Sequence, residues 1–316
     1  MIIAFMVIGL GLLALPGAMS RIGKYLRPST WAVLCLLALG AGAFSTIGSF
    51  LLVVSPPILR LVGLSNAARA CERMFGSLHP AGFVAWTVVI VLGVSALALA
   101  LRAIARARRS VREALLVAEL GENIGRQSAY DIVVTPGDRR NALSVRSGRD
   151  SGTVLVSRLL VQSISQAEFD LVCAHELAHL RHSHQKYLVF AALLDDAFWF
   201  WPPIRYGTRR LRLALERWAD EIAAGATAES RQSLRTALLS VAVSGPLWPT
   251  VPSFSKIDGI IERINALEHD PQQDRAVGWS LVLIPGLLFS IGSLFLVAKL
   301  GHQAYCLIVM PGRCHR

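Results

Sequence analysis

Apolar and charged positions divide this chain into blocks before any motif is considered. Four stretches run without a charged residue for about the length of a bilayer crossing: Met1 to Met19, Trp31 to Val54, Phe83 to Leu101 and Gly278 to Ala298. Each predicts a transmembrane helix. The first lacks the positive start and small-residue cut site of a secretory signal, so it is expected to remain as a span. The second carries Gly40, Gly42 and Gly48, which allow close contact with a neighbouring helix. Between the third and fourth spans the charges return and the periodicity changes. Ser110 to Leu120 has helical apolar spacing. Asp131 to Thr135 and Asn141 to Arg146 read as short strands joined by a Pro-Gly-Asp turn, with Thr153 to Val156 a third strand candidate. One of the three is expected to be an edge strand able to pair with an extended peptide.

These blocks predict a multi-span α-helical membrane protein, with about four transmembrane helices and an α+β domain between the third and fourth. Residues 1–102 form a three-span region, 103–277 the domain, 278–300 the fourth transmembrane helix and 301–316 a short tail. Composition supports lipid as the solvent for much of the chain. The 316 residues are 53% hydrophobic and 17% charged, with a mean hydropathy of +0.50, too apolar for an ordinary soluble enzyme.

The net charge of +11 comes almost entirely from arginine, since Lys24, Lys186, Lys256 and Lys299 are the only lysines. The arginines cluster beside the apolar spans, where retention on the cytoplasmic side accounts for them, so direct binding to nucleic acid is not expected. The densest cluster, Arg102, Arg106, Arg108, Arg109 and Arg112, follows the third span and marks its cytoplasmic end. Counting crossings from there puts the loop from Ser55 to Gly82 outside, the 103–277 domain in the cytoplasm and the tail outside. The expected location is a bacterial plasma membrane, crossed several times. Cysteine adds little. There is no Cys-x-x-Cys spacing, Cys173 reads as a small buried hydrophobe, and Cys306 and Cys314 in the tail leave a disulfide and two free thiols as open alternatives.

The candidate chemistry lies in Cys173-Ala-His-Glu-Leu-Ala-His-Leu180. Residues four apart share one face of a helix, so His175 and His179 can offer two imidazole nitrogens to one zinc ion. Glu176 then points to the water that such an ion holds, as a general base. A catalytic zinc wants a third protein ligand and an open position, and Leu215-Glu216-Arg-Trp-Ala-Asp220 supplies the ligand as Glu216. Asp220, one turn on, can accept a hydrogen bond from a ligating histidine and fix its tautomer. Tyr206, Arg205, His182 and His184 are candidates for stabilising an oxyanion, which spacing alone does not rank. For the two histidines, exposed positions at a helix end are the expected reading.

The run from Tyr187 to Pro202 is apolar, yet Asp195 and Asp196 interrupt it and it is short for a span. A crossing there would also strand His179 and Glu216 on opposite sides of the membrane. The segment is therefore expected to return to its starting side as a buried, interfacial or re-entrant helix. Trp199 and Trp201 would then lie at the lipid boundary or in the core.

His175-Glu-Leu-Ala-His179, Phe198-Trp-Phe-Trp-Pro202 and the arginine-rich run into Glu216-Arg-Trp-Ala-Asp220 together resemble the M56 class of membrane zinc metallopeptidases, of the BlaR/MecR type. The resemblance extends upstream through Val154 to Val161 and Gln166 to Asp170, and downstream to Glu262 to Leu267. It departs from the class at Trp201, where asparagine is usual, and at His184, where aspartate is common. It implies a cytoplasmic zincin-like peptidase domain, Zn(2+) as the cofactor, and limited cleavage of a cytosolic protein, such as a DNA-binding repressor. Because only a short tail follows the last span, the expectation is the peptidase module without an external penicillin-binding sensor domain. Two other readings remain: a membrane quality-control peptidase similar to the M48 class, and a non-catalytic membrane transducer with a peptidase fold. The oligomeric state is open.

The topology is directly testable. In a chain freed of native reactive cysteines, a reporter cysteine at Ser151 should be shielded from a membrane-impermeant thiol reagent in intact cells, and one at Ser77 should react. The reverse pattern would place the domain outside.

Overall fold

The computed structural model describes residues 2–23, 25–66, 68–69, 72, 83–127, 129–136, 140–146, 148, 151–242 and 259–269. The fourth expected span, the tail with Cys306 and Cys314, and Cys71 lie outside the described residues. The chain divides into two compact units. Among the described residues, one contains those within 2–15 and 37–91, and the other those within 16–36 and 92–269.

The N-terminal helices are α1 (Ile2–Ala18), the single turn α2 (Ser20–Gly23), α3 (Pro28–Leu61) and α4 (Phe83–Glu119). Among the described residues two helices are long and apolar enough to cross a membrane, Pro28–Leu61 and Ile90–Glu119, and α1 is a shorter apolar helix of 17 residues. Their apolar side chains are largely uncovered, Phe44 at 75% exposure and Val94 and Leu97 at 63% each, which suits helices facing lipid. In the first unit α1 meets α3 where glycines remove the side chain. A Cβ on Gly42 would lie 2.8 Å from the Gly9 carbonyl oxygen, and the Ser45 hydroxyl donates to the Phe5 carbonyl at 2.7 Å. Gly42 thus makes the close approach expected of it, whereas Gly40 and Gly48 face open space among the described residues.

Helix α3 continues seven residues beyond the expected end at Val54, through Pro56 and Pro57. Pro56 has no N–H to give the Leu52 carbonyl, and the Ser55 hydroxyl donates to that oxygen instead, at 3.3 Å. The third expected span and the amphipathic segment 110–120 are one helix, α4. The arginines between them are good helix formers and carry it on without a break. At about 1.5 Å per residue its 37 residues exceed the hydrocarbon thickness of about 30 Å.

The second unit is built on a four-stranded mixed sheet of β1 (Glu122–Gln127), β2 (Tyr130–Thr135), β3 (Ala142–Arg146) and β4 (Gly152–Ser157), in the order β1-β2-β4-β3. Strands β2 and β4 are parallel and the outer pairs antiparallel. Alternation along the strands sorts their side chains onto two covered faces. Ala142, Val154 and Val156 pack with Leu160, Phe169, Val172, Leu177 and Leu180, while Leu143, Val145, Leu155 and Val133 pack under Ala114 near the end of α4. That is why every residue of β4 is buried. Of the three strands considered as edges, β3 is terminal in the sheet, and β2 and β4 are interior.

Six helices follow: α5 (Arg158–Ser163), α6 (Gln166–Arg181), α7 (His184–Ala197), α8 (Pro202–Ala224), α9 (Ala228–Ala242) and α10 (Ile260–Leu267). Helix α6 starts at a capping box. The Ser165 hydroxyl accepts from the Glu168 N–H at 3.3 Å, and the Glu168 carboxylate accepts from the Ser165 N–H at 2.7 Å. Helices α7 and α8 form an antiparallel hairpin, since Asp195 meets Thr208 and Arg212 while His184, eleven residues earlier, meets Trp218. The acids that argued against a crossing have partners here. Asp195 accepts from Thr208 at 2.5 Å and from Arg212 at 2.7 Å, and Asp196 pairs with Arg106. Trp199 and Phe200, in the connection, are half exposed.

Arg231, buried on α9, holds the short helix α10. Its guanidinium pairs with Glu221 of α8 at 2.9 and 3.1 Å, and donates to the Ala266 and Leu267 carbonyls at 3.1 and 3.3 Å. Removing one partner of a buried pair costs about 3–5 kcal/mol, whereas an exposed pair is worth about 0–1 kcal/mol. Arg231→Ala should therefore cost several times more stability than Arg235→Ala, which loses the more exposed pair with Glu268. Chemical denaturation of the detergent-purified variants measures both. Equal small losses would show that α10 is held by other contacts.

Candidate metal centre

Helix α6 lies across the sheet with its apolar face in the core, and this orientation buries the chemistry as well. His175, Glu176 and His179 are each no more than 2% exposed. Cys173, on the same helix, belongs to the apolar core, and burial pushes its thiol up to about 12. Helix α8 repeats its buried positions at 204, 207, 208, 211, 214, 215, 219 and 220, a helical stripe that brings Glu216 and Asp220 against α6. The close packing of α6 on the sheet depends on Gly152, where a Cβ would lie 3.0 Å from Leu180.

Three donor groups converge. His175 Nε2 lies 3.1 Å from His179 Nε2 and 3.5 Å from Glu216 Oε2, and His179 Nε2 lies 3.7 Å from Glu216 Oε1. A tetrahedral shell with bonds of about 2.0–2.2 Å separates neighbouring ligand atoms by about 3.3–3.6 Å, so this triangle has the size a small dication requires. Among the described residues it is the group of histidine, cysteine and carboxylate side chains able to hold a metal ion.

Each histidine is oriented from behind. His175 Nδ1 lies 3.0 Å from Asp220 Oδ1, which turns Nε2 towards the triangle. His179 Nδ1 lies 3.0 Å from His184 Nδ1. His184 is fully buried, contrary to the exposed helix end expected of it, whereas His182 is exposed as expected. Arg205 and Tyr206, offered as oxyanion candidates, are exposed on the first turn of α8, about 15 Å along the helix from Glu216. They are not brought to the centre.

One participant was not anticipated. Arg263 of α10 is fully buried, donating to both carboxylate oxygens of Asp220 at 2.7 Å and approaching Glu216 Oε2 at 3.1 Å. The sequence signal was its place in the Glu262 to Leu267 segment of the resemblance, which carried no assigned role.

The electrostatics follow from burial against these partners. Burial disfavours the charged form of Glu216 and Asp220, yet the Arg263 charge holds both carboxyls below their usual range. Burial also works against protonated His175, but Asp220 and Glu216 reverse that and raise it to about 9. Burial dominates at the other two groups, lowering His179 to about 4 and raising Glu176 to about 7. Glu176 Oε1 has no hydrogen-bond partner among the described protein atoms. With Glu176 ionised and His175 neutral, as a metal ligand must be, the carboxylates of Glu176, Glu216 and Asp220 against the Arg263 guanidinium leave a net charge of two negatives, which a divalent cation would neutralise; without a cation the proton on His175 offsets one of them.

Comparison with curated proteins gives no match. The family profile described as "BlaR1 peptidase M56" matches residues 81–267, a stretch that includes every residue of this centre. It covers more than half of the sequence, and the chain therefore belongs to the M56 peptidase family, a family of metallopeptidases.

Proposed function

We propose that this protein is a membrane-bound zinc metalloendopeptidase, with His175, His179 and Glu216 as the zinc ligands, Asp220 orienting His175 and Glu176 as the general base. The observation that carries the proposal is the convergence of the three donor groups at 3.1–3.7 Å in a site largely closed to solvent. The long apolar helices and the family membership point to a membrane protein. Bound zinc would supply a Lewis acid to polarise the scissile carbonyl and acidify water.

The chain's own residues supply the remainder. Glu176, one residue from His175 on the inner face of α6, accepts the proton of the attacking water and later donates it to the leaving amine. Its raised affinity for protons suits that exchange near neutral pH. The buried surroundings exclude bulk water from the reacting groups.

The substrates we propose are few and cytosolic, a DNA-binding repressor first among them, with the domain on the cytoplasmic side. The reading is supported by the arginine cluster after the apolar part of α4, by the family resemblance, and by the near-complete burial of Glu176. A site so enclosed favours a segment presented in one conformation over general degradation.

Two measurements test this. In purified protein, Glu216→Ala should lose zinc, while Glu176→Gln should keep zinc and lose cleavage by at least about a hundredfold, since it removes only the base. Equal zinc content in wild type and Glu216→Ala would remove Glu216 from the ligand set. In cells, comparative proteomics of wild type and Glu176→Gln should reveal a short series of defined cuts in cytosolic proteins, absent from the variant. Broad accumulation of damaged membrane proteins in the variant would favour quality control instead.

A further inference from the structure

We propose that His184 is the positioning residue for His179, accepting the His179 Nδ1 hydrogen on its own Nδ1 and thereby presenting His179 Nε2 to the metal. The inference rests on the metal reading of His175, His179 and Glu216, and adds a constraint on the second imidazole of that centre.

The geometry is specific. The two Nδ1 atoms lie 3.0 Å apart, a hydrogen-bond distance in which one ring must donate and the other accept. If His179 offers its Nε2 lone pair to a metal, its hydrogen sits on Nδ1, so His184 must be the acceptor and carry its own hydrogen on Nε2. That Nε2 is buried and has no hydrogen-bond partner among the described residues. The ring is therefore placed by its Nδ1 contact and by packing. His179 meets it edge-on at 4.9 Å between centroids, and Trp218 lies against it at 4.8 Å. Trp218 stands between Glu216 and Asp220 on α8, so the helix that supplies the third ligand also fixes the support of the second.

The two ligating histidines then have different backing. Asp220 behind His175 is an anion, itself compensated by Arg263. His184 behind His179 is a neutral acceptor. A carboxylate in its place would add a third uncompensated charge to a buried centre that a dication balances at two. A neutral imidazole sets the tautomer without changing that balance.

The test uses the purified full chain and three variants, His184→Leu, His184→Asn and His184→Gln. Asparagine places Oδ1 where Nδ1 stood and can accept the same hydrogen, whereas glutamine places its oxygen near the position of Nε2. Zinc affinity is measured by chelator competition, the ligand field by the visible spectrum of the cobalt(II) form, and packing by the melting temperature with and without zinc. The leucine variant should bind zinc about 10–100-fold more weakly, with an altered cobalt spectrum and a smaller zinc-dependent gain in melting temperature. Asparagine should restore most of the affinity and the spectrum, and glutamine should not. Wild-type affinity in the leucine variant, or equal affinities in the asparagine and glutamine variants, would overturn the assignment. Should the leucine variant fail to fold, the asparagine and glutamine pair decides. Absence of zinc and cobalt binding by the wild type would instead refute the metal reading itself.

Discussion

Two carboxylates, Glu216 and Asp220, are held one helical turn apart in a site almost closed to water, and Arg263 makes that arrangement tolerable. Each buried charge loses several kcal/mol of hydration, and attraction returns it only where geometry is good and hydrogen bonds are complete. Arg263 meets both conditions for Asp220, with two donors at 2.7 Å, and extends a third interaction to Glu216. The cation also keeps both acids ionised where burial would protonate them. A protonated Glu216 would be a poor metal ligand, and a protonated Asp220 a poor acceptor for His175. The availability of the metal triangle thus depends on a guanidinium that does not belong to it.

That guanidinium must itself be delivered, and α10 is only eight residues long, too short to be stable alone. Its position comes from outside. Arg231 binds its last carbonyls, Arg210 pairs with Glu262 at 2.9 Å, and Ile260 and Leu267 are buried. Helix α8 is the common member of these contacts, carrying Arg210, Glu216, Asp220 and Glu221. It ends at Gly225, whose φ of +60° lies where a side chain would be strained, so the chain can turn directly into α9. A single amphipathic helix therefore orders Glu216, Asp220 and the seat of the compensating cation.

How much of this was legible in the sequence depends on the distance over which each interaction acts. His175, Glu176 and His179 lie within about one turn of one helix, and Glu216 and Asp220 within about one turn of another, so spacing was enough to put each group on one helix face, and the structure brings the two faces together. The Arg263 contact joins residues 43 apart on separate helices, and the periodicity of either helix carries no information about such a contact. His184 was misjudged for a related reason. Local pattern placed it at a helix end, which is usually exposed, but the α7–α8 hairpin folds Trp218 over it. Strand β1 was missed because all six of its residues are exposed and it contains Gly125 and a bulge, so no alternation marks it. The unbroken α4 was divided because its apolar and arginine-rich halves look like different environments, although both favour helix.

Under the proposed function, the edge strand β3 would bring peptide pairing and support of His179 onto the same few residues. In the β3–β4 pairing, Ser157 N–H donates to Asn141 C=O, so the backbone groups of Ala142, Ser144 and Arg146 point away from β4, towards the open edge. An extended peptide would have to pair with these groups. The Ser144 carbonyl already accepts from the Gln185 side chain, and the Arg146 guanidinium donates to the Leu180 carbonyl at the end of α6. Gln185 follows His184 directly in the first turn of α7. A peptide added at β3 therefore competes with Gln185 for Ser144, at a point one residue from the imidazole behind His179. Since packed elements shift as units rather than atom by atom, displacement of this turn at the strand would be felt at the histidine. On the proposed function, peptide pairing at β3 and the orientation of His179 would be coupled through one turn of helix, with no moving domain required.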